Sequence, residues 1–232
     1  GTPLQDVPHP DPLTSLVWSP DGRLLASGDV AGTIRLWEFS SSGRATCVEI
    51  LAGHSSWVRG LAFAPDSTSL ASASWDGSVK LWELGEGGRL RQQLSGHTEQ
   101  VQCLAWSPDG RTVASGSFDH AIRLWHGKAG SSSTVLQGHA AAVNGLAFTP
   151  DSRHLLSGSE DGTMRLWEVE GGQCVRVIQG YATTLYDLDW SPDGTRLASV
   201  GSDTEVCLWE VEGCQPPRVL RGHTWTVYGV AW

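Results

Sequence analysis

The chain of 232 residues has no run approaching the ~20 apolar residues that carry a helix across a membrane. It is also poor in positive charge. Sixteen Lys and Arg stand against 25 Asp and Glu, a formal net charge of −9. Binding to a nucleic-acid backbone needs clustered cations, so nucleic acid is not an expected partner. The five cysteines, Cys47, Cys103, Cys174, Cys207 and Cys214, are odd in number and form no Cys-x-x-Cys pair. That argues against a disulfide framework or a zinc site and fits scattered reduced thiols in the cytoplasm. Residues 1–15 lack the basic segment and apolar core of a signal peptide. There is no G-x-x-x-x-G-K-[ST] loop, no kinase motif set and no G-x-S-x-G elbow. The expectation is a cytoplasmic protein with no enzymatic activity, cofactor, metal or membrane contact.

What is abundant is glycine, at 28 residues, and tryptophan, at 12. Many glycines with short apolar runs point to an all-β chain. Five of the tryptophans, Trp37, Trp82, Trp125, Trp167 and Trp209, are spaced by 45, 43, 42 and 42 residues. Each closes a run of one type, such as TIRLWE at 33–38 or TMRLWE at 163–168. A period of 40–45 residues is the mark of a repeat architecture. Three further signals keep register with it. Gly-His falls at 53–54, 96–97, 138–139 and 222–223, with Gly-Tyr at 180–181. A Pro-Asp turn follows, eleven residues after the His or Tyr, at 64–67, 107–110, 149–152 and 191–194; SPDG at 19–22 projects back to His9. An aspartate precedes Trp by six residues in four repeats, as Asp76, Asp119, Asp161 and Asp203, and a serine lies four earlier, as Ser72, Ser115, Ser157 and Ser199. In the first repeat Ser27 is in place but Ala31 replaces the aspartate, and Asp29 is the nearest substitute. Each repeat reads as four strands, in the second near 57–63, 69–73, 78–83 and 90–94, with a type I-like Pro-Asp turn between the first two and a tight Asp-Gly turn before the third.

This pattern resembles the WD-repeat β-propeller family over roughly residues 9–232. The resemblance implies an all-β propeller of four-stranded antiparallel blades, with five full blades and a trailing strand. One domain spans 1–232, with repeats at 9–53, 54–96, 97–138, 139–180, 181–222 and a partial unit at 223–232. The last unit lacks its second and third strands, and residues 3–8 read as a poor fourth strand. Three readings of these ends stand open: a segment of a larger, seven-bladed type of ring, a closed five-bladed ring with a redundant strand, and self-association through open propeller ends.

A serine, a histidine and an aspartate in every repeat raise the hydrolase reading. A triad needs one exposed nucleophile beside an oxyanion hole, whereas here the set recurs at blade period. The resemblance instead implies structural tetrads, in which His bonds Asp and Ser, and Ser reaches the Trp indole. They are His54, Ser72, Asp76 and Trp82; His97, Ser115, Asp119 and Trp125; His139, Ser157, Asp161 and Trp167; and Tyr181, Ser199, Asp203 and Trp209, with Tyr in place of His. The first and last blades, which depart from the pattern, are expected to be the weakest.

The resemblance also implies where a partner docks: three and five residues after the Gly-His histidine, and one before the blade aspartate. These positions hold Trp57, Arg59 and Trp75 in the second blade; Gln100, Gln102 and Phe118 in the third; Asn144 and Glu160 in the fourth; Tyr186 in the fifth; and Tyr228 in the trailing unit. Nine tryptophans fill the two structural slots of the repeat, the five above and Trp18, Trp106, Trp190 and Trp232. Trp57, Trp75 and Trp225 do not. Aromatic residues and arginine are enriched at binding hot spots, so the expected centre of a protein- or peptide-binding surface is Trp57, Arg59, Trp75 and Phe118. The bland alternative is that these rings cover the rim. The function expected is a non-catalytic interaction scaffold, the sensor, docking or regulatory module of a larger signalling protein. The alternative is a small-molecule or glycan-binding propeller using the Trp57/Trp75 platform.

Overall fold

The structure, a computed structural model, describes residues 9–41, 43–85, 87–127, 132–179, 184–210 and 216–232. Among the described residues, twenty strands form five four-stranded antiparallel sheets. The first sheet holds β1 (Leu13–Trp18), β2 (Leu24–Asp29), β3 (Thr33–Phe39) and β4 (Ala45–Ala52). The second holds β5 (Val58–Phe63), β6 (Ser69–Ser74), β7 (Val79–Glu83) and β8 (Arg89–Leu94). In the third are β9 (Val101–Trp106), β10 (Thr112–Ser117), β11 (Ile122–His126) and β12 (Ser132–Leu136). The fourth comprises β13 (Val143–Phe148), β14 (His154–Ser159), β15 (Thr163–Glu168) and β16 (Cys174–Gln179), and the fifth β17 (Leu185–Trp190), β18 (Arg196–Gly201), β19 (Val206–Glu210) and β20 (Arg218–Leu220). Strand order follows chain order in every sheet. The expected strand at 3–8 lies outside the described residues.

Side-chain chemistry fixes the turn between the first two strands of each sheet. The Ser19 hydroxyl donates to Asp21 Oδ1 at 2.6 Å and its oxygen accepts from Leu24 N–H, while Asp21 Oδ1 accepts from Arg23 N–H. Ser107, Thr149 and Ser191 repeat the first contact with Asp109, Asp151 and Asp193. In the second turn, where Ala64 replaces the serine, Thr68 Oγ1 donates to Asp66 Oδ1 instead, and in all five turns the residue after the aspartate sits in the left-handed region, at φ 70° for Gly22 and 59° for Ser67. Such a φ is free of strain only for glycine, which accounts for Gly at three of the five positions.

The cores lie between blades. Trp82 of β7 packs with Ile34, Leu36 and Leu51 of the first blade, and Trp125 with Leu81 and Leu94 of the second. Trp167 packs with Leu124 and Leu136 of the third. Each of these tryptophans therefore seals its blade onto the preceding one. The first strands β1, β5, β9, β13 and β17 contact one another in that order and form the inner row of strands. Residues 225–232 stand against β17 one blade period on. Val230 N–H donates to Asp187 Oδ2 and Trp232 N–H to Asp189 Oδ2, each at 3.0 Å. The outward face of β1, with Leu16 59% and Trp18 52% exposed, carries no such neighbour among the described residues.

Candidate interaction face

Every inner strand carries a β-bulge near its start, and the bulged residues are Thr14, Arg59, Gln102, Asn144 and Tyr186. A bulge inserts one unpaired residue and re-aims its side chain. Here the five side chains, joined by Tyr228, turn onto the wall of a central channel of about 610 Å³. They also stitch blade to blade. Thr14 Oγ1 donates to Val58 O at 2.6 Å, Asn144 Nδ2 to Leu185 O at 3.0 Å, and Arg59 Nε to Gln102 Oε1 at 3.4 Å. Tyr186 and Tyr228 rings lie 4.9 Å apart, and burial, with Tyr228 and Glu160 adding to it, raises the Tyr186 phenol above its ordinary range.

A second set of positions surrounds this mouth, coupled by one recurring backbone bond. Trp75 N–H donates to Trp57 O, Phe118 to Gln100, Glu160 to Ala142, Ser202 to Thr184 and Val30 to Pro12, all at 2.9–3.1 Å. The loop before the first strand and the turn after the second thus meet at the same end of each blade. In the second blade the Trp57 and Trp75 rings stack at 4.4 Å and 6°. The Arg59 guanidinium lies 5.9 Å from the Trp75 ring centre, and Trp75 Nε1–H donates to Gln102 Oε1 at 2.7 Å. Trp57 remains 39% exposed. Phe118 and Gln100 are half-buried on the next blade, and no ring contact joins Phe118 to the pair. Glu160 is exposed and accepts from Asn144 Nδ2 at 3.4 Å. Eight of the ten positions fall into two groups: Trp57, Trp75, Arg59 and Gln102 form one connected cluster, Asn144, Tyr186 and Tyr228 line the channel with Glu160 bonded to Asn144, and Gln100 and Phe118 join neither.

The Ser-His-Asp sets lie behind this face. His54 Nδ1 is 2.8 Å from Asp76 Oδ2, His54 Nε2 is 2.7 Å from Ser72 Oγ, and Trp82 Nε1 is 2.8 Å from the same oxygen. The sets at His97 and His139 match within 0.1 Å on each contact. One donor order satisfies all three bonds: Trp N–H to Ser O, Ser O–H to His Nε2, and His Nδ1–H to the carboxylate. The aspartate then closes the loop, Asp76 Oδ2 accepting Ser55 N–H at 3.1 Å. Burial opposes ionisation of Asp76, but the bonds from His54 and Ser78 outweigh it and hold the carboxyl below its usual range. Burial also depresses His97 and His139, against the pull of their aspartates.

The first set is altered. Asp29, fully buried, stands where the next three blades have Ser74, Ser117 and Ser159, and pairs with Arg35 Nη1 at 2.7 Å. Its other oxygen takes Ala31 and Thr33 N–H. His9 is 3.9 Å from Asp29 and 3.4 Å from Ser27, and its Nδ1–H donates to Asp11 O. In the fifth blade Trp209 reaches Ser199 at 2.9 Å and Asp203 Oδ1 accepts Glu205 N–H; Tyr181 lies outside the described residues.

Sequence reasoning missed Asp187 and Asp189. They occupy inner-strand positions that are Gly60 and Ala62, Cys103 and Ala105, or Gly145 and Ala147 in the blades between, a departure visible in the aligned repeats. Burial pushes the Asp187 carboxyl up to about 6, against the N–H donors of Val230 and Leu188, and Asp189 is raised likewise. Cys47, Cys103 and Cys174 are free thiols, Cys214 lies outside the described residues, and no metal-ligating group of three occurs among those described.

The blade geometry has a direct counterpart in known families. The family model of the WD domain, G-beta repeat (WD40) matches at residues 1–38, 45–83, 88–126, 130–168 and 172–210. The chain belongs to the WD40 family. No curated protein matches the chain at a significant level. WD40 repeats generally mediate protein–protein interaction or scaffolding, and a WD40 propeller is typically non-catalytic. Among the described residues, no helix is long and apolar enough to cross a membrane.

Proposed function

We propose that this WD40 chain is an interaction scaffold whose protein or peptide partner docks on the face of Trp57 and Trp75, within a larger cytosolic signalling protein. The observation that carries this reading is the exposed Trp57 ring, backed by Trp75 and bordered by Arg59. A rigid aromatic-arginine cluster on a half-exposed face has the composition of a binding hot spot. The rings stack on each other at 4.4 Å, so no planar ligand fits between them; this favours a protein partner over the glycan or small-molecule reading. The tetrad serines, buried and engaged by Trp indoles, are poor nucleophiles, which supports a non-enzymatic role. Exposed Leu16 and Trp18 on β1, and Trp225 and Trp232 beyond β17, support self-association through the ring ends.

The test is a double variant, Trp57→Ala with Trp75→Ala, compared with the parent chain for capture of the same partner. Lost capture with a nearly unchanged melting temperature supports the reading; undiminished capture would sink it. Light scattering tests the self-association.

A further inference from the structure

We propose that the docking partner is an acidic peptide: a carboxylate enters the channel mouth and pairs with the Nη edge of Arg59, while a neighbouring apolar side chain lies on Trp57. This rests on the reading of the Trp57/Trp75 face just given and names the chemistry of its ligand.

Four observations carry it. First, among the described residues Arg59 has no carboxylate within 4 Å, whereas Arg23, Arg35, Arg89, Arg111, Arg196 and Arg221 each pair with one. Half-buried Arg123 and Arg165 share that state, but of these three cations Arg59 is the one that lines the channel. Second, Arg59 is already oriented. Its Nε–H is directed at Gln102 Oε1, its guanidinium lies over Trp75, and Gln102 is itself fixed by the Trp75 indole. Ordering a long side chain is a main cost of forming an ion pair, and here the fold meets it in advance. Third, with Nε committed to Gln102, the two Nη groups form the end that remains, and a carboxylate binds such a fork bidentately. Neither Nη is among the buried polar atoms that lack a partner, so both reach water or open space. Fourth, Arg59 lines the channel, and the anions facing it are committed elsewhere. Asp187 lines the channel but accepts Val230 and Leu188 N–H, and Glu160 accepts from Asn144 Nδ2.

The alternative ligand is basic, drawn by the overall charge and by Trp57. A cation, Arg59, already lies over Trp75, the other ring of the stack, and would repel a second one.

The experiment titrates the chain with three capped hexapeptides identical except for one residue after a Phe: Glu, Gln or Lys. The indole N–H resonances of Trp57 and Trp75 report binding, because the Trp75 N–H sits on the Gln102 oxygen that also faces Arg59. The expected result is a Glu peptide that shifts both indoles and binds about tenfold more tightly than the Gln peptide. The preference should shrink with salt and vanish in Arg59→Gln, while Arg59→Lys retains part of it. An unchanged backbone amide spectrum shows that each variant is folded. Equal binding of Glu and Gln peptides, or tighter binding of Lys, overturns the acidic partner while leaving the face as a docking site. A Glu peptide that moves neither indole at millimolar concentration overturns the inference too; whether the face reading falls with it is decided by the Trp57/Trp75 double variant.

Discussion

Trp75 donates its indole N–H to Gln102 Oε1 across 2.7 Å, from the second blade to the third. The same oxygen faces Arg59 Nε at 3.4 Å, so one side-chain amide holds both the aromatic stack and the cation. Gln102→Leu keeps the volume and removes that acceptor. The expected cost is ~1–2 kcal/mol, the loss of one neutral bond and the orphaning of a half-buried donor. Partner binding should fall more than stability does, because Arg59 loses its anchor. Thermal melts alongside a binding titration separate the two. A variant with parental affinity would show that Arg59 and Trp75 hold their places unaided.

The tetrads make a graded prediction. Ser115 Oγ is 2.8 Å from His97 Nε2 and 2.9 Å from Trp125 Nε1, in a site closed to solvent. Ser115→Ala strands both partners and should destabilise by ~1–3 kcal/mol. Ser27→Ala should cost less, since Ser27 keeps the Trp37 bond but stands 3.4 Å from His9. For the same reason, hydrogen exchange should be faster at residues 9–40 than at 55–140. Equal protection would mean that Arg35 and Asp29 brace the first blade as well as His and Asp brace the others.

How far these features could be read in advance depends on their period. Trp82, Ser72 and Asp76 recur at fixed spacing, so the blades and their order were legible without coordinates. The tilt of Arg59 and Gln102 into the channel was not. It comes from a bulge that breaks the two-residue alternation of the strand, and no residue type marks it. The Trp57–Trp75 pair sat in expected positions, but its mutual stacking depends on two loops brought together by a backbone bond. Phe118 shows the limit of the same reasoning. It holds an equivalent position and yet joins no stack, because its neighbour across the blade is Gln100 and not an aromatic ring. Asp29 was legible as a substitute carboxylate, but its main partner, Arg35, was not, because that pairing crosses two strands.

Acid should loosen the third and fourth blades first. Burial holds His97 and His139 below 6.5, so the folded form resists protonation that the unfolded chain accepts. Stability is therefore present above 6.5 and is lost as pH falls from there through the folded values. Asp119 and Asp161 are held below 3.8, and their contribution is lost lower still, as pH falls through their own folded values. Melting temperature followed from pH 7.5 to 4 should decline, and His97→Gln should flatten the upper part of the decline. A melting temperature that is constant across this range would exclude the mechanism.

Asp187 has the opposite sign. Its carboxyl is raised to about 6 by burial, so the folded form prefers the proton. The stabilisation is full below the ordinary value of 3.8 and is lost as pH rises through about 6. At pH 8 the ionised group is a cost, moderated by the Val230 and Leu188 N–H groups and worsened by nearby Asp189. Asp187→Asn keeps an acceptor for Val230 and removes the charge. It should raise stability at pH 8 by ~1–2 kcal/mol and change little at pH 4. Denaturation of parent and variant at the two pH values checks this. A variant less stable than its parent at pH 8 would mean that the charge-assisted bond to residues 225–232 outweighs the burial of the carboxylate, and that those residues depend on Asp187 to stay on β17.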